Sequence, residues 1–303
     1  MLAACILIIA TLASTVESYV SQSSMSANRI QRALGASSSQ SPGGGVDRDM
    51  MSTYDALAAR LIDRYEKEDA AFDILRNNQL FVCVAGGPGS GKSTLSTAVA
   101  ARINEQLRTG GGGGGDEDPA AVVLPMDGFH YSRSQMKAME ESSSNEGGCT
   151  YDELLARRGA PWTFDAEGCV AAFTRARETG VASLPVYCRT KSDPVPDGVR
   201  LHRGTKIVLL EGNYLLAWDD ERWAPLRTNR VFDETWYISC KSLVDQRDRL
   251  VKRHLETWSD EKTKLFGEGA LGAGAKADSN DMKNLEWIEE MSRKHADYVI
   301  ESL

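Results

Sequence analysis

Residues 86–93 read GGPGSGKS, a turn with glycine at its first and sixth positions that closes on a lysine and a hydroxyl side chain. The apolar run LFVCVA at 80–85 precedes it, and a helical pattern follows from Lys92. That order is strand, tight turn, helix, the unit from which parallel α/β sheets are built. Glycines let the backbone curl so that successive N–H groups point inward, and the helix start adds partial positive charge; together they make a cradle for phosphate. Gly86, Gly87, Pro88, Gly89, Ser90, Gly91, Lys92, Ser93 and Thr94 are therefore expected to hold the phosphates of ATP. Lys92 would bridge the β and γ phosphates, and the Ser93 hydroxyl would be a ligand for Mg²⁺.

The rest of the chain repeats the same grammar. Short apolar runs predict strands over 80–85, 121–126, 206–210 and 234–239. Helical spacing predicts helices over 92–107, 165–180, 242–256 and 282–295, the second of these capped by Asp165. A further helix, capped by Ser52 or Thr53, carries Leu57, Leu61, Ile62 and Tyr65 on one face. Strands alternating with helices imply an α/β fold: a parallel central sheet covered on both faces, in three layers. Two glycine-rich stretches, 110–115 and 267–275, read as insertions without chemistry.

A net charge of −8 argues against a surface built to hold nucleic-acid backbone, which needs a basic stripe. The six cysteines are scattered, with neither a C-x-x-C pair nor a histidine at metal-ligand spacing, and read as reduced thiols. Residues 2–13 form an apolar run broken only by Thr11, too short for a stable membrane span. From 18 to 46 there is no acidic residue, serine is abundant, and Arg29 and Arg32 appear. The leading expectation is a targeting segment with a linker over 1–49, removed or disordered, ahead of a catalytic domain over 50–303. Its rival is a start at Met25, Met50 or Met51. Signal-like and transit-like halves together fit delivery to a plastid, with a mitochondrion or the cytoplasm as alternatives.

The turn alone does not separate a kinase from a hydrolase, so the acidic residues must decide. Asp127 ends one predicted strand, and Glu211 ends another. Both should emerge at the carboxyl edge of the sheet, where the glycine-rich turn lies. Asp127 could hold Mg²⁺ through water or accept the proton of an attacking hydroxyl. Glu211 stands where magnesium is commonly held. The tetrad TKSD at 190–193 fits a guanine-reading pattern, but no D-x-x-G spacing accompanies it, and Pro194 suggests an extended loop. A regulatory GTPase and a nucleotide-driven binding or assembly module are the rival readings.

Four further motifs carry a resemblance: MDGFH at 126–130, RRGAP with TFD at 157–165, DPV at 193–195, and LEGNYL at 210–215. From about residue 80 onward the chain resembles the superfamily of uridine kinase, pantothenate kinase and phosphoribulokinase. It is most similar to the uridine-kinase-like group that includes fungal ATP-dependent kinases. The resemblance implies a P-loop kinase fold with a helical lid over about 242–281, and ATP-dependent phosphorylation of a small hydroxyl compound. Monomer and homodimer both stay open. It implies Asp127 as base, Glu211 as the second acidic residue with a share in the metal, and Arg249 and Arg253 as catalytic lid arginines. Arg157, Arg158, Tyr187 and Arg189 are candidates for holding the acceptor, as is His130, which is equally readable as a packed structural histidine. Cys188 departs from the acidic residue expected there. DSND at 278–281 with Asn284 also resembles the group, without an assignable role.

Overall fold

The strand before the glycine-rich turn is apolar on both faces because it is buried on both. The structure, a computed structural model, describes residues 46–67, 77–108, 118–143 and 149–302. In it, β1 (Leu80–Gly86) lies at the centre of a five-stranded sheet. With β2 (Ala121–Pro125), β5 (Ile207–Gly212), β6 (Glu234–Cys240) and β7 (Tyr298–Ser302), the order is β2-β5-β1-β6-β7, and every pairing is parallel. Leu80, Val82 and Val84 point to one side of β1 and Phe81, Cys83 and Ala85 to the other, as the two-residue repeat of a strand requires. The first side packs under α1 (Val46–Lys67) and α2 (Lys92–Arg108) through Leu61, Leu95, Val99 and Ile103. On the second side lies Phe173 of a further helix, with Trp223, Tyr214 and Ile288. Each fully buried side chain of this kind contributes about 1.5–3 kcal/mol.

Helices and strands beyond the core position the functional loops. Two helices precede the one that carries Phe173: α3 (Arg133–Ser143) and α4 (Tyr151–Ala156), the latter held by a capping box between Thr150 and Glu153. That helix is α5 (Ala166–Thr179). Asp165 caps it by accepting a hydrogen bond from the Gly168 N–H, and Gly180 ends it in the left-handed conformation. A separate antiparallel hairpin, β3 (Ala182–Cys188) and β4 (Asp193–Leu201), stands outside the main sheet. After β6 come α6 (Leu243–Leu255), α7 (Asp260–Phe266), α8 (Gly269–Lys276), a wide turn at Ala277–Asp281, and α9 (Met282–Ser292). Residues Met50–Leu303 form one compact unit.

Four expectations are corrected here. The first helix begins at Val46, so Ser52 and Thr53 lie inside it and do not mark its start. β2 stops at Pro125 and gives way to a tight turn at Met126–Phe129, which carries Asp127. β5 continues to Gly212, so Glu211 is a strand residue and does not follow the strand. The glycine-rich stretch at 267–275 contributes most of a helix. Of the expected targeting segment and linker over 1–49, residues 1–45 lie outside the described residues, as does the glycine run at 110–115, while 46–49 belong to α1. Among the described residues no helix is long and apolar enough to cross a membrane.

Candidate active site

The turn after β1 curls because two of its glycines take conformations that other residues resist: Gly89 has φ 78° and Gly91 φ 88°. Ser90 N–H donates to the Gly87 carbonyl at 3.2 Å, and Leu95 N–H to the Gly91 carbonyl at 2.9 Å, so turn passes into helix without a break. From α6, the Gln246 amide donates to the Pro88 carbonyl at 2.8 Å, fixing the outer side of the turn. Lys92 is buried, while Ser93 and Thr94 are exposed at the start of α2.

Sheet register brings the acidic residues to the same edge. Glu211 pairs with Val84 on one side and Pro125 on the other, so it stands between the ends of β1 and β2, two residues from Asp127. The Ser93 hydroxyl donates to the Glu211 carboxylate, with contacts of 3.0 and 3.1 Å to its two oxygens. Burial raises the affinity of Glu211 for its proton, and the Asp127 charge adds to this, against Lys92 and the Ser93 hydrogen bond. Burial also lowers the pKa of Lys92, opposed by the charges of Glu211 and Asp127. A buried carboxylate, a hydroxyl and a second nearby carboxylate form a hard oxygen set of the kind that Mg²⁺ shares with phosphates. Among the described residues no group of three or more His, Cys, Asp or Glu could cage a metal by itself.

The turn bearing Asp127 is wedged against the β3–β4 hairpin. A Cβ on Gly128 would lie 2.0 Å from the Pro185 carbonyl oxygen, so only glycine permits the approach. His130 stacks between Phe164 and Tyr187, with ring centroids 3.9 and 4.9 Å away. Its Nδ1 lies 2.8 Å from the Asp127 carbonyl oxygen, which can only accept. Nδ1 therefore carries the hydrogen, and burial, which lowers the pKa of the ring, leaves Nε2 as an acceptor.

A cleft of about 250 Å³ opens over these groups, lined among others by Pro88, Lys92, Asp127, His130, Tyr187 and Arg189. Arg253 and Arg158 also line it, whereas Arg249 and Arg157 are not among its lining residues. Arg157 instead donates to the Ser279 carbonyl at 2.6 Å and lies over the exposed Trp162 ring. Arg158 is held by the carbonyls of Ser192 and Tyr131, pairs with Asp193 at 3.1 Å, and lies over Tyr187. Asp193 also accepts the Arg133 N–H at 2.9 Å, so the TKSD tetrad closes a hairpin and its carboxylate is already engaged.

The sequence had no reading for several residues that the fold places here. Lys276 and Lys262 reach the cleft from the helices after α6, and Glu261 enters it as a partner of Arg133 at 2.6 Å. The 278–284 segment ties those helices to the loop at 157–158. Asn280, fully buried, donates to the Arg158 carbonyl at 2.9 Å, and Asn284 donates to the Asn280 side chain at 3.3 Å. Asp281 lies 2.7 Å from His254.

The comparisons with known proteins agree with this geometry. A fission-yeast protein, "Putative uridine kinase C227.14" of Schizosaccharomyces pombe, is 29% identical over 253 residues, covering 80% of this chain and 88% of the relative. The "ATP-dependent kinase-like protein notR'" of Aspergillus versicolor is 34% identical over 135 residues, 43% of this chain and 71% of that protein. The crystal structure of a "putative fructose transport system kinase" from Silicibacter sp. TM1040 superimposes with a TM-score of 0.59 at 27% identity, covering 82% of this chain and 98% of that one. No protein-family model matches the chain. A parallel sheet with this turn at the end of its central strand, and relatives of this kind, define a P-loop phosphotransferase. The chain belongs to the uridine-kinase-like family of ATP-dependent P-loop kinases.

Proposed function

We propose that this protein transfers the γ-phosphoryl group of Mg-ATP to a hydroxyl of a small molecule, with Asp127 as the base. The observation that carries the reading is the convergence of Lys92, Asp127, His130 and Tyr187 on one cleft, beside the turn that receives the phosphates. In this reading the turn's N–H groups and Lys92 hold the β and γ phosphates. Asp127 accepts the proton of the acceptor hydroxyl as its oxygen bonds to the γ phosphorus; the bond from that phosphorus to the bridging oxygen breaks, and ADP leaves. Ser93 and Glu211, with Asp127 through water, would hold Mg²⁺, which neutralises charge on the phosphates when bound. Arg253 enters the cleft from α6, the first helix of a lid over 242–281, where a guanidinium can meet the transferring group. Arg249, a turn earlier on that helix, would serve the nucleotide from outside the cleft.

For the acceptor, the candidate holders are Tyr187, His130 and Arg189, with Arg158 bracing Tyr187 from behind and Arg157 anchoring the lid. Nucleosides, sugars and pantothenate-like compounds are the classes to test first, because the names of two relatives refer to uridine and fructose. ADP release with Mg-ATP and such a panel tests the reading. A rate that rises with one acceptor supports it; ATP turnover indifferent to every acceptor would favour a nucleotide-driven binding module instead.

A further inference from the structure

Asn213 stands in the wall of the cleft and is only 9% exposed. Its Oδ1 is closed off from water, yet among the described residues nothing donates to it, and nothing accepts from its Nδ2. The other buried amides of the site are engaged: Gln246 donates to the Pro88 carbonyl, Asn280 to the Arg158 carbonyl and Asn284 to Asn280. Nor is Asn213 a loose end of its strand. Tyr214, the next residue, is buried against Phe164, Trp223 and Trp287 and donates to the Gly159 carbonyl at 2.5 Å, which fixes the backbone from which the amide projects. A buried polar group without a partner destabilises a fold, so one held this firmly calls for an explanation.

The fold sets this amide beside Asp127. Glu211 pairs with Pro125 across β5 and β2; one residue further, Gly212 comes so close to Met126 that a Cβ on it would lie 2.5 Å from the Met126 Cβ. The residues that follow on the two chains are Asn213 and Asp127, and both line the cleft. If Asp127 meets the reacting hydroxyl, Asn213 meets the part of the acceptor next to it. The unpaired Oδ1 needs a group that brings a hydrogen, which the oxygens of a phosphate do not, and Nδ2 needs one that accepts. A hydroxyl does both.

We propose that Asn213 is a specificity-determining residue of the acceptor site: it exchanges hydrogen bonds with a second hydroxyl of the acceptor, close to the one presented to Asp127. The proposal rests on the kinase reading of the cleft. The amide left unpaired by the protein is the one that selects the acceptor, because a compound lacking that hydroxyl leaves it buried and unpaired still.

The test uses the full chain with its phosphate turn filled by a non-hydrolysable ATP analogue and Mg²⁺. Uridine, ribose and fructose are titrated calorimetrically, each beside analogues that lack a single hydroxyl. For one parent, an analogue that still supports ADP release from ATP should bind about five- to a hundredfold more weakly, the range expected when one buried polar group is left unpaired. Asn213→Ala should remove that difference by weakening the parent to the level of the analogue, and Asn213→Ser, which keeps a group that both donates and accepts, should retain part of it. Without acceptor, Asn213→Ala should melt no lower than the wild type, because the amide has no bond there to lose; an asparagine with a structural role would give a lower melting temperature. Parents that bind no better than their analogues or do not bind at all, a preference that survives in Asn213→Ala, or a lower melting temperature of that variant would overturn the proposal. ADP release with the parents judges the kinase reading separately: release that depends on a parent keeps that reading even where Asn213 fails, whereas release indifferent to every parent discards it.

Discussion

Gly128→Ala is the smallest change that should disable the site without touching a reacting group. The added Cβ would lie 2.0 Å from the Pro185 oxygen, 2.4 Å from its carbonyl carbon and 3.0 Å from the Val186 nitrogen. All three are backbone atoms of β3, so no side chain can rotate away. Separations under 3.0 Å are essentially never seen for real Cβ atoms, and the Asp127 turn and the hairpin must therefore part by about 1 Å, the difference between 2.0 and 3.0 Å. Overpacking of this kind costs about 1–3 kcal/mol of stability. The functional cost is larger, because a displacement of about 1 Å between base and acceptor can lower the rate about a hundredfold. Acceptor-dependent ADP release should show kcat/KM for the acceptor falling by about that factor while KM for ATP holds, since the phosphate turn is not in the contact. A variant with wild-type melting and wild-type acceptor kinetics would refute the argument that the hairpin positions Asp127.

Asn280→Ala leaves the Arg158 carbonyl and the Asn284 amide buried without partners; it should cost about 1–3 kcal/mol and raise KM for the acceptor, read by thermal melting and kinetics. Unchanged values in both would show that the 278–284 segment does not brace the acceptor loop. Asp193→Ala should lower stability yet leave any preference for ATP over GTP unchanged in competition binding, because Asp193 serves Arg158 and the Arg133 N–H. Glu234, almost fully buried, is held by Arg60, Arg64 and the Trp236 N–H. Burial alone would raise its pKa, but the Arg60 hydrogen bond and both arginine charges lower it. Its stabilisation is therefore present above the usual glutamate value and lost as pH falls through the depressed one. In the double variant Arg60→Met with Arg64→Met, burial is left to raise that pKa. The variant should lose about 3–5 kcal/mol, and its stability should fall as pH rises above the usual glutamate value, in denaturant titrations. A flat profile would contradict the assignment.

How much of this was legible in the sequence depended on how local the signal was. The GGPGSGKS turn, the strand before it and the Asp165 cap are set by neighbouring residues, and their spacing alone places them. Lys92, Ser93, Asp127 and Glu211 could be brought to one edge because strand ends in a parallel sheet share it. The β3–β4 hairpin escaped notice because Pro185, Pro194 and Pro196 break the alternation that marks a strand, and a hairpin outside the main sheet tolerates them. α8 escaped because glycine is a poor helix former; at Gly272 the chain packs so closely that a Cβ would meet the Gly267 carbonyl oxygen at 2.1 Å and the Trp258 ring at 2.8 Å. The division between Arg157 and Arg158 is a matter of long-range partners, Ser279 for one and Asp193 for the other, which adjacent letters do not reveal.

The most direct test of the central claim follows the phosphoryl group itself. ATP labelled in its γ phosphate is incubated with Mg²⁺, the best acceptor and either the wild-type protein or Asp127→Asn, and the label is traced to acceptor or to inorganic phosphate. The account predicts label on the acceptor with the wild type and transfer reduced by at least about a hundredfold in the variant, the low end of what a positioned base contributes. Label released only as inorganic phosphate, or carried to the acceptor at equal rates by both proteins, would contradict it.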